Sequence, residues 1–160
     1  GDQNAPEVFE FFMENNFLEY VNCVLLAQPA NRSGAVATQV LQALAILVQS
    51  VQRSEGMFSL LSNDHLNAVL SVPFDFSDDE LLGLYVCLLK AISLRLSPDT
   101  AQFFVRVDEH DGILTFPLYS AAVRFAHHPE PMVRAGVRTM VLSIFAVPDP
   151  YVELFITLPP

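Results

Sequence analysis

No straight helix can pass through residues 127–131. They read His-His-Pro-Glu-Pro, and a proline ring drives the residue before it out of the α region. Two prolines so close together force a joint. Leu118, Ala122 and Phe125 precede it at spacings of four and three, one face of a helix from Leu118 to about Ala126. Pro131 opens a second helix, where its missing N–H is one of the amides that lack a helical partner anyway. Met132, Val133, Val137, Met140, Val141, Ile144 and Phe145 are expected to give that helix its buried stripe. Phe116–Val147 thus reads as one unit of a helical stack: short helix, Pro-rich turn, longer helix.

The rest of the chain repeats that pattern without repeating its sequence. Asn4 and Glu7 are placed to cap a helix carrying Val8, Phe9, Phe11, Phe12 and Met13. Asn15-Asn16 punctuates it. A second helix is expected over Phe17–Ala27, with Leu18, Val21, Val24 and Leu25 inward, then a loop over 28–34. Ser33–Gln52 lacks charge over a length that could span a bilayer. Yet Gln39, Gln42, Gln49 and Gln52 line one side of a helical wheel, which marks a core helix of a water-exposed stack. Short helices follow at Ser54–Leu61 and after the Ser62-Asn63-Asp64 cap, the latter with Leu66, Val69 and Leu70 inward. An extended connector spans Val72–Phe76. Ser77-Asp78-Asp79-Glu80 predicts a capping box in which the Ser77 hydroxyl and Glu80 carboxylate satisfy free amides. The helix it opens runs to about Leu96, with Lys90 and Arg95 at its negative pole. Ser97-Pro98-Asp99 starts a helix through Phe104, and Asp149-Pro150 starts a last one. Val105–Thr115, β-branched at its ends with Asp-Gly inside, predicts a small hairpin or a loop.

The long helices begin near residues 35, 78 and 131, spacings of about 43 and 53 that bracket the armadillo/HEAT period. The expected fold is therefore all-α: an irregular armadillo/HEAT-like α-solenoid of short and long helices in one domain over residues 1–160, with a closed helical bundle as the alternative. The chain starts without Met and stops in mid-pattern, so a fragment of a longer protein is expected. A hydrophobic content of 52% and mean hydropathy of +0.37 suit a stack whose ends are covered by neighbours.

The formal charge of −10 argues against nucleic acid and against direct binding to an anionic membrane. Residues 1–80 hold 11 acids and 2 bases, net −9, and residues 81–160 hold 7 and 6, net −1. The first half therefore reads as a solvated acidic face or a surface for a basic partner. Cys23 and Cys87 sit in apolar runs and are expected to be buried, reduced thiols of a cytosolic protein. His127-His128 with Glu130, and Asp108–Asp111, are the clusters closest to a metal set. Neighbours in sequence rarely converge on an ion, so a helix C-terminus complemented by imidazole and a solvated loop are expected instead. No Gly-x-Ser-x-Gly elbow or Gly-rich phosphate loop is present. No enzyme activity, cofactor or metal is expected. Arg124, Arg134 and Arg138, with His128 beside them, are offset locally by Glu130 alone. They either pair with carboxylates or loop carbonyls of the stack, or form a docking patch for an acidic segment.

Gly1–Asn4, Val8–Phe12, Leu61-Ser62-Asn63, Phe74–Asp78, Phe116–Tyr119 and the run from His128-Pro129-Glu130 through Met132-Val133-Arg134 to Val137-Arg138-Thr139 together resemble the FPL-domain family. The match runs in order from Gly1 to about Val147. It implies a cytoplasmic helical scaffold, peripheral on endosomal, lysosomal or Golgi membranes, acting in endosome maturation, autophagy and mitophagy. Protein partners are implied in the endosomal tethering machinery. A RING ubiquitin ligase is the alternative, with this chain as a regulatory or substrate-recruiting subunit. Membrane association is expected to be indirect. The family brings no catalytic residues to carry over.

Overall fold

The computed structural model describes Glu7, Phe11, residues 16–107 and residues 110–157. Glu7 and Phe11 are helical, but the Asn4 cap and most of the first expected helix lie outside the described residues. The described helices are α1 (Phe17–Tyr20), α2 (Gly34–Ser50), α3 (Ser54–Ser62), α4 (His65–Leu70), α5 (Asp79–Ser93), α6 (Pro98–Ala101), α7 (Pro117–Val123), α8 (Pro131–Phe145) and α9 (Pro150–Thr157). Between α6 and α7 lies an antiparallel hairpin, β1 (Arg106–Val107) and β2 (Leu114–Thr115), with Arg106 opposite Thr115. Gly112 takes φ +70° in its loop, a conformation that favours glycine. The hairpin alternative for 105–115 therefore holds.

Local chemistry explains most boundaries. Asn16 stands in the left-handed region at φ 49°, one of the few side chains that tolerate it, and turns the chain into α1. α1 runs on into a π-helical turn, Val21–Leu25, closed by Leu26 N–H donating to the Val21 carbonyl at 2.8 Å. The wider turn rotates the register. Val24, expected inward, is exposed, and Leu26, five residues after Val21, is buried instead. Cys23 lies on the far side of the helix from buried Leu18 and Val21, and Cys87 lies on the solvent side of α5 between exposed Gly83 and Lys90. Both thiols are thus exposed, correcting the expectation of burial.

The reciprocal capping box expected at 77–80 is replaced by a one-way cap one residue later. Asp78 caps α5, its carboxylate accepting from the amides of Glu80 at 2.9 Å and Leu81 at 3.3 Å. An ionised acceptor at the positive helix end outcompetes a hydroxyl. Ser77 instead donates its hydroxyl to Asp75 at 2.6 Å, closing a turn that holds the Asp75 carboxyl below its ordinary pKa. At α6, Ser97 and Thr100 form a reciprocal cap. Asp149, itself buried, caps α9 through the amides of Tyr151 and Val152.

The long helices form a row. α2 packs along α5, and α5 packs along α8, so α5 is covered on both sides. Leu41, Leu44 and Val48 of α2, Leu81, Leu88, Leu89 and Ile92 of α5, and Val137, Met140 and Ile144 of α8 belong to one continuous apolar cluster. A Cβ on Gly136 would lie 3.0 Å from Cγ1 of Val86, so glycine sets how closely α8 approaches α5. Short helices fill the layer beside the row: α4 touches α1 and α7, α3 touches α6, and α7 lies against both α5 and α8. Arg95, just past α5, donates to the Val51 carbonyl at the end of α2 and ties two row members together. Among the described residues no helix is long and apolar enough to cross a membrane.

Candidate functional site at the α7–α8 corner

α7 ends at Val123, earlier than the sequence suggests, because Arg124–His127 already turn towards the prolines. His127 and His128 therefore lie in the turn rather than on a helix end. His128 Nδ1 accepts from the Glu130 amide at 3.2 Å, and the Glu130 carboxylate accepts from Met132 N–H at 3.4 Å as cap of α8. Among the described residues no cluster of three or more potential metal ligands forms. Asp108 and Glu109 of the other acidic cluster lie outside them.

Beneath the corner is an aromatic knot. Tyr85 of α5 is fully buried and donates its hydroxyl to the Leu70 carbonyl at 2.8 Å. Its ring centroid lies 4.8 Å from that of Phe76, 5.9 Å from Phe74 and 6.1 Å from Phe125. Burial pushes the Tyr85 hydroxyl up to about 12, with the nearby Arg124 charge pulling weakly the other way.

The three arginines have different roles. Arg124 is exposed, and its guanidinium lies over Phe125 at 4.9 Å and Phe76 at 5.1 Å. Aromatic faces hold it, leaving its N–H groups to solvent. Arg134 donates through Nη1 to the carbonyls of His128 and Pro129, both at 2.7 Å. It staples the Pro-rich turn to the first turn of α8, since prolines leave carbonyls without an intrahelical donor. Arg138, one turn further along the same helix face, is exposed and has no hydrogen bond or ion pair among the described residues. His128 is linked to Arg124 through Phe125, whose ring centroid is 6.5 Å from the imidazole. The corner thus brings Arg124 and His128 together on Phe125 and ties Arg134 to the His128 carbonyl, while Arg138 lies one turn further along α8.

α8 departs from the expected stripe. Val133, Val137, Met140 and Ile144 are buried, but Met132 is 76% exposed and Phe145 40%. Leu142, not counted in the stripe, is 70% exposed. At 100° per residue, Met132, Ala135, Leu142, Phe145 and Ala146 fall on the side opposite Val133, Val137 and Ile144. α8 is apolar on both sides, a pattern that periodicity alone reads as one wide buried face. The total of apolar positions around the helical wheel was the available signal.

The amino-acid sequence has relatives among known proteins. The family model FPL, described as an uncharacterised conserved protein, matches residues 1–145. The chain is 40% identical over 156 residues to a Drosophila melanogaster protein named Protein CLEC16A homolog, covering 98% of this chain and 14% of that protein. It is 40% identical over 148 residues to human Protein CLEC16A, covering 92% and 13%. It is 34% identical over 161 residues to Protein TRANSPARENT TESTA 9 of Arabidopsis thaliana, covering 100% and 19%. The chain therefore spans less than a fifth of the length of these relatives. No solved structure matches.

Proposed function

The chain belongs to the FPL family, and from that premise we propose that it is a non-catalytic helical scaffold that docks protein partners in endosome–lysosome membrane traffic, with roles in autophagy and mitophagy. The α2–α5–α8 row is read as successive steps of an armadillo/HEAT-like solenoid belonging to a longer protein, peripheral on endosomal, lysosomal or Golgi membranes. The observation that carries docking is the pair of exposed cations, Arg124 and Arg138, neither bonded to a carboxylate among the described residues. Arg134 gives both Nη1 hydrogens to the turn, so only its remaining guanidinium edge is offered to a partner in this reading.

The test is copurification from animal cells with quantitation of named endosomal tether subunits and RING ligases, comparing the wild-type chain with R124E/R138E. Recovery of tether subunits that the double variant loses, at unchanged circular dichroism, supports the reading. Recovery of a RING ligase without tether subunits moves the function to a ligase subunit. Recovery of neither overturns the trafficking role.

A further inference from the structure

Ser77 stands exposed between the Val72–Phe76 connector and α5, and its hydroxyl has no task in the core. Asp78 caps α5 in its place, and Ser77 Oγ donates to the exposed Asp75 carboxylate at 2.6 Å. The next three residues, Asp78, Asp79 and Glu80, are all acidic and all exposed. A hydroxyl followed by a run of carboxylates suits a kinase with a cationic substrate groove, because charge complementarity selects such segments. On its other side Ser77 adjoins Phe76, whose ring lies 5.1 Å from the Arg124 guanidinium. Phe76 and Phe125 occupy the face of that exposed guanidinium, so its N–H edge is open to an anion. We propose that Ser77 is a phosphorylation site for an acid-directed serine kinase, and that Arg124 holds the phosphoryl group, joining the start of α5 to the α7–α8 corner.

The chemistry of the modification sets the rearrangement. In the transfer the Ser77 Oγ–P bond forms as the β–γ bridging P–O bond of ATP breaks. ADP leaves, and the hydroxyl proton passes to the kinase's base. Phosphoserine has no hydroxyl left to donate, so the bond to Asp75 is lost, and the two anions repel. The modified side chain therefore leaves Asp75 and turns to a cation. Arg32 also approaches this turn, its carbonyl accepting from the Asp75 amide at 3.1 Å. Its guanidinium, however, is committed to the carbonyls of Leu26 and Ala27. Arg124 has no hydrogen bond or ion pair among the described residues. Already flattened on two rings, it loses little further freedom on pairing. Pairing withdraws Arg124 from an acidic partner. That regulation of docking rests on the reading above, whereas the modification and the pairing do not.

The test treats the purified chain with a casein-type, acid-directed kinase and Mg–ATP, locates phosphate by mass spectrometry and titrates it by 31P NMR. Wild type should gain a phosphoryl group on Ser77 and S77A should not. D79N/E80Q should react at least about tenfold more slowly, the scale of electrostatic steering. That variant keeps Asp78, so α5 stays capped and circular dichroism should not change. The phosphoserine midpoint, ordinarily about pH 6, should lie about 0.3–0.7 pH unit lower in wild type than in R124Q, as for an exposed ion pair. R138Q should titrate like wild type. No phosphate on Ser77, an unslowed D79N/E80Q, equal midpoints in wild type and R124Q, or an equal displacement in R138Q overturns the proposal. Failure of the unmodified chain to recover tether subunits would fell the trafficking role alone, because phosphate transfer and the midpoint are read without a partner.

Discussion

Tyr85 carries the clearest pH signature in the molecule. Its hydroxyl is pushed up to about 12 by burial, above the ordinary value of 10. Between those values the native state keeps a proton that the unfolded state has released. Stability is therefore complete below about pH 10 and falls as pH rises towards 12, by up to about 2–3 kcal/mol. Urea titrations of wild type at pH 9 and 11 should show about half of that loss, about 1–1.5 kcal/mol, and Y85F should show a smaller one. Y85F should also start about 1–2 kcal/mol lower, because the Leu70 carbonyl loses its donor. The arginines separate in the same assay. R134A should cost about 1–3 kcal/mol by leaving the His128 and Pro129 carbonyls without their donor. R138A should stay within about 0.5 kcal/mol of wild type, as expected for an exposed residue without a partner. Equal losses would mean that Arg138 has a structural role.

At the level of elements, caps and crossings decide. Asp78 accepts two amides of α5, so D78A should cost about 1 kcal/mol in chemical denaturation, whereas S77A, which loses only a surface turn bond, should cost less. The reverse order would restore the Ser77 capping box. Where α5 crosses α8, a side chain on Gly136 meets Val86 at once. G136L should therefore destabilise by about 1–3 kcal/mol, and V86A in the same chain should recover part of that loss, a coupling that a double-mutant cycle reads directly. Additive effects would mean that the helices part without strain. The sequence shows Gly136 as a weak point in helix propensity, but its partner lies fifty residues away.

For the whole molecule, the buried residues of α2, α5 and α8 form one cluster, so the described chain should unfold as one unit. L41A in α2 and I144A in α8 should each remove about 2–5 kcal/mol from a single transition seen alike by circular dichroism and tyrosine fluorescence. Two separate transitions would show that the row is built of independent parts.

The sequence by itself determined the helices, their order and most of their ends. Those depend on proline geometry, capping side chains and apolar spacing, all local to the chain. The joint at 127–131, the start of α8 at Pro131 and the caps at Ser97 and Asp149 were legible for that reason. The hairpin at 105–115 was legible as one of two alternatives. Tertiary structure decided which side of each helix is covered. The π turn after α1 rotated Val24 out and Leu26 in, because one extra residue per turn leaves no mark on apolar spacing. Cys23, Cys87 and Met132 face solvent and Phe145 is only half covered, by a stacked Tyr119, because burial depends on which neighbour arrives, and among the described residues α8 has a neighbour in the row on one side only. Likewise, three arginines of one local pattern became an aromatic-bound cation, a turn staple and an unpaired charge, according to which carbonyls and rings the fold brought within reach.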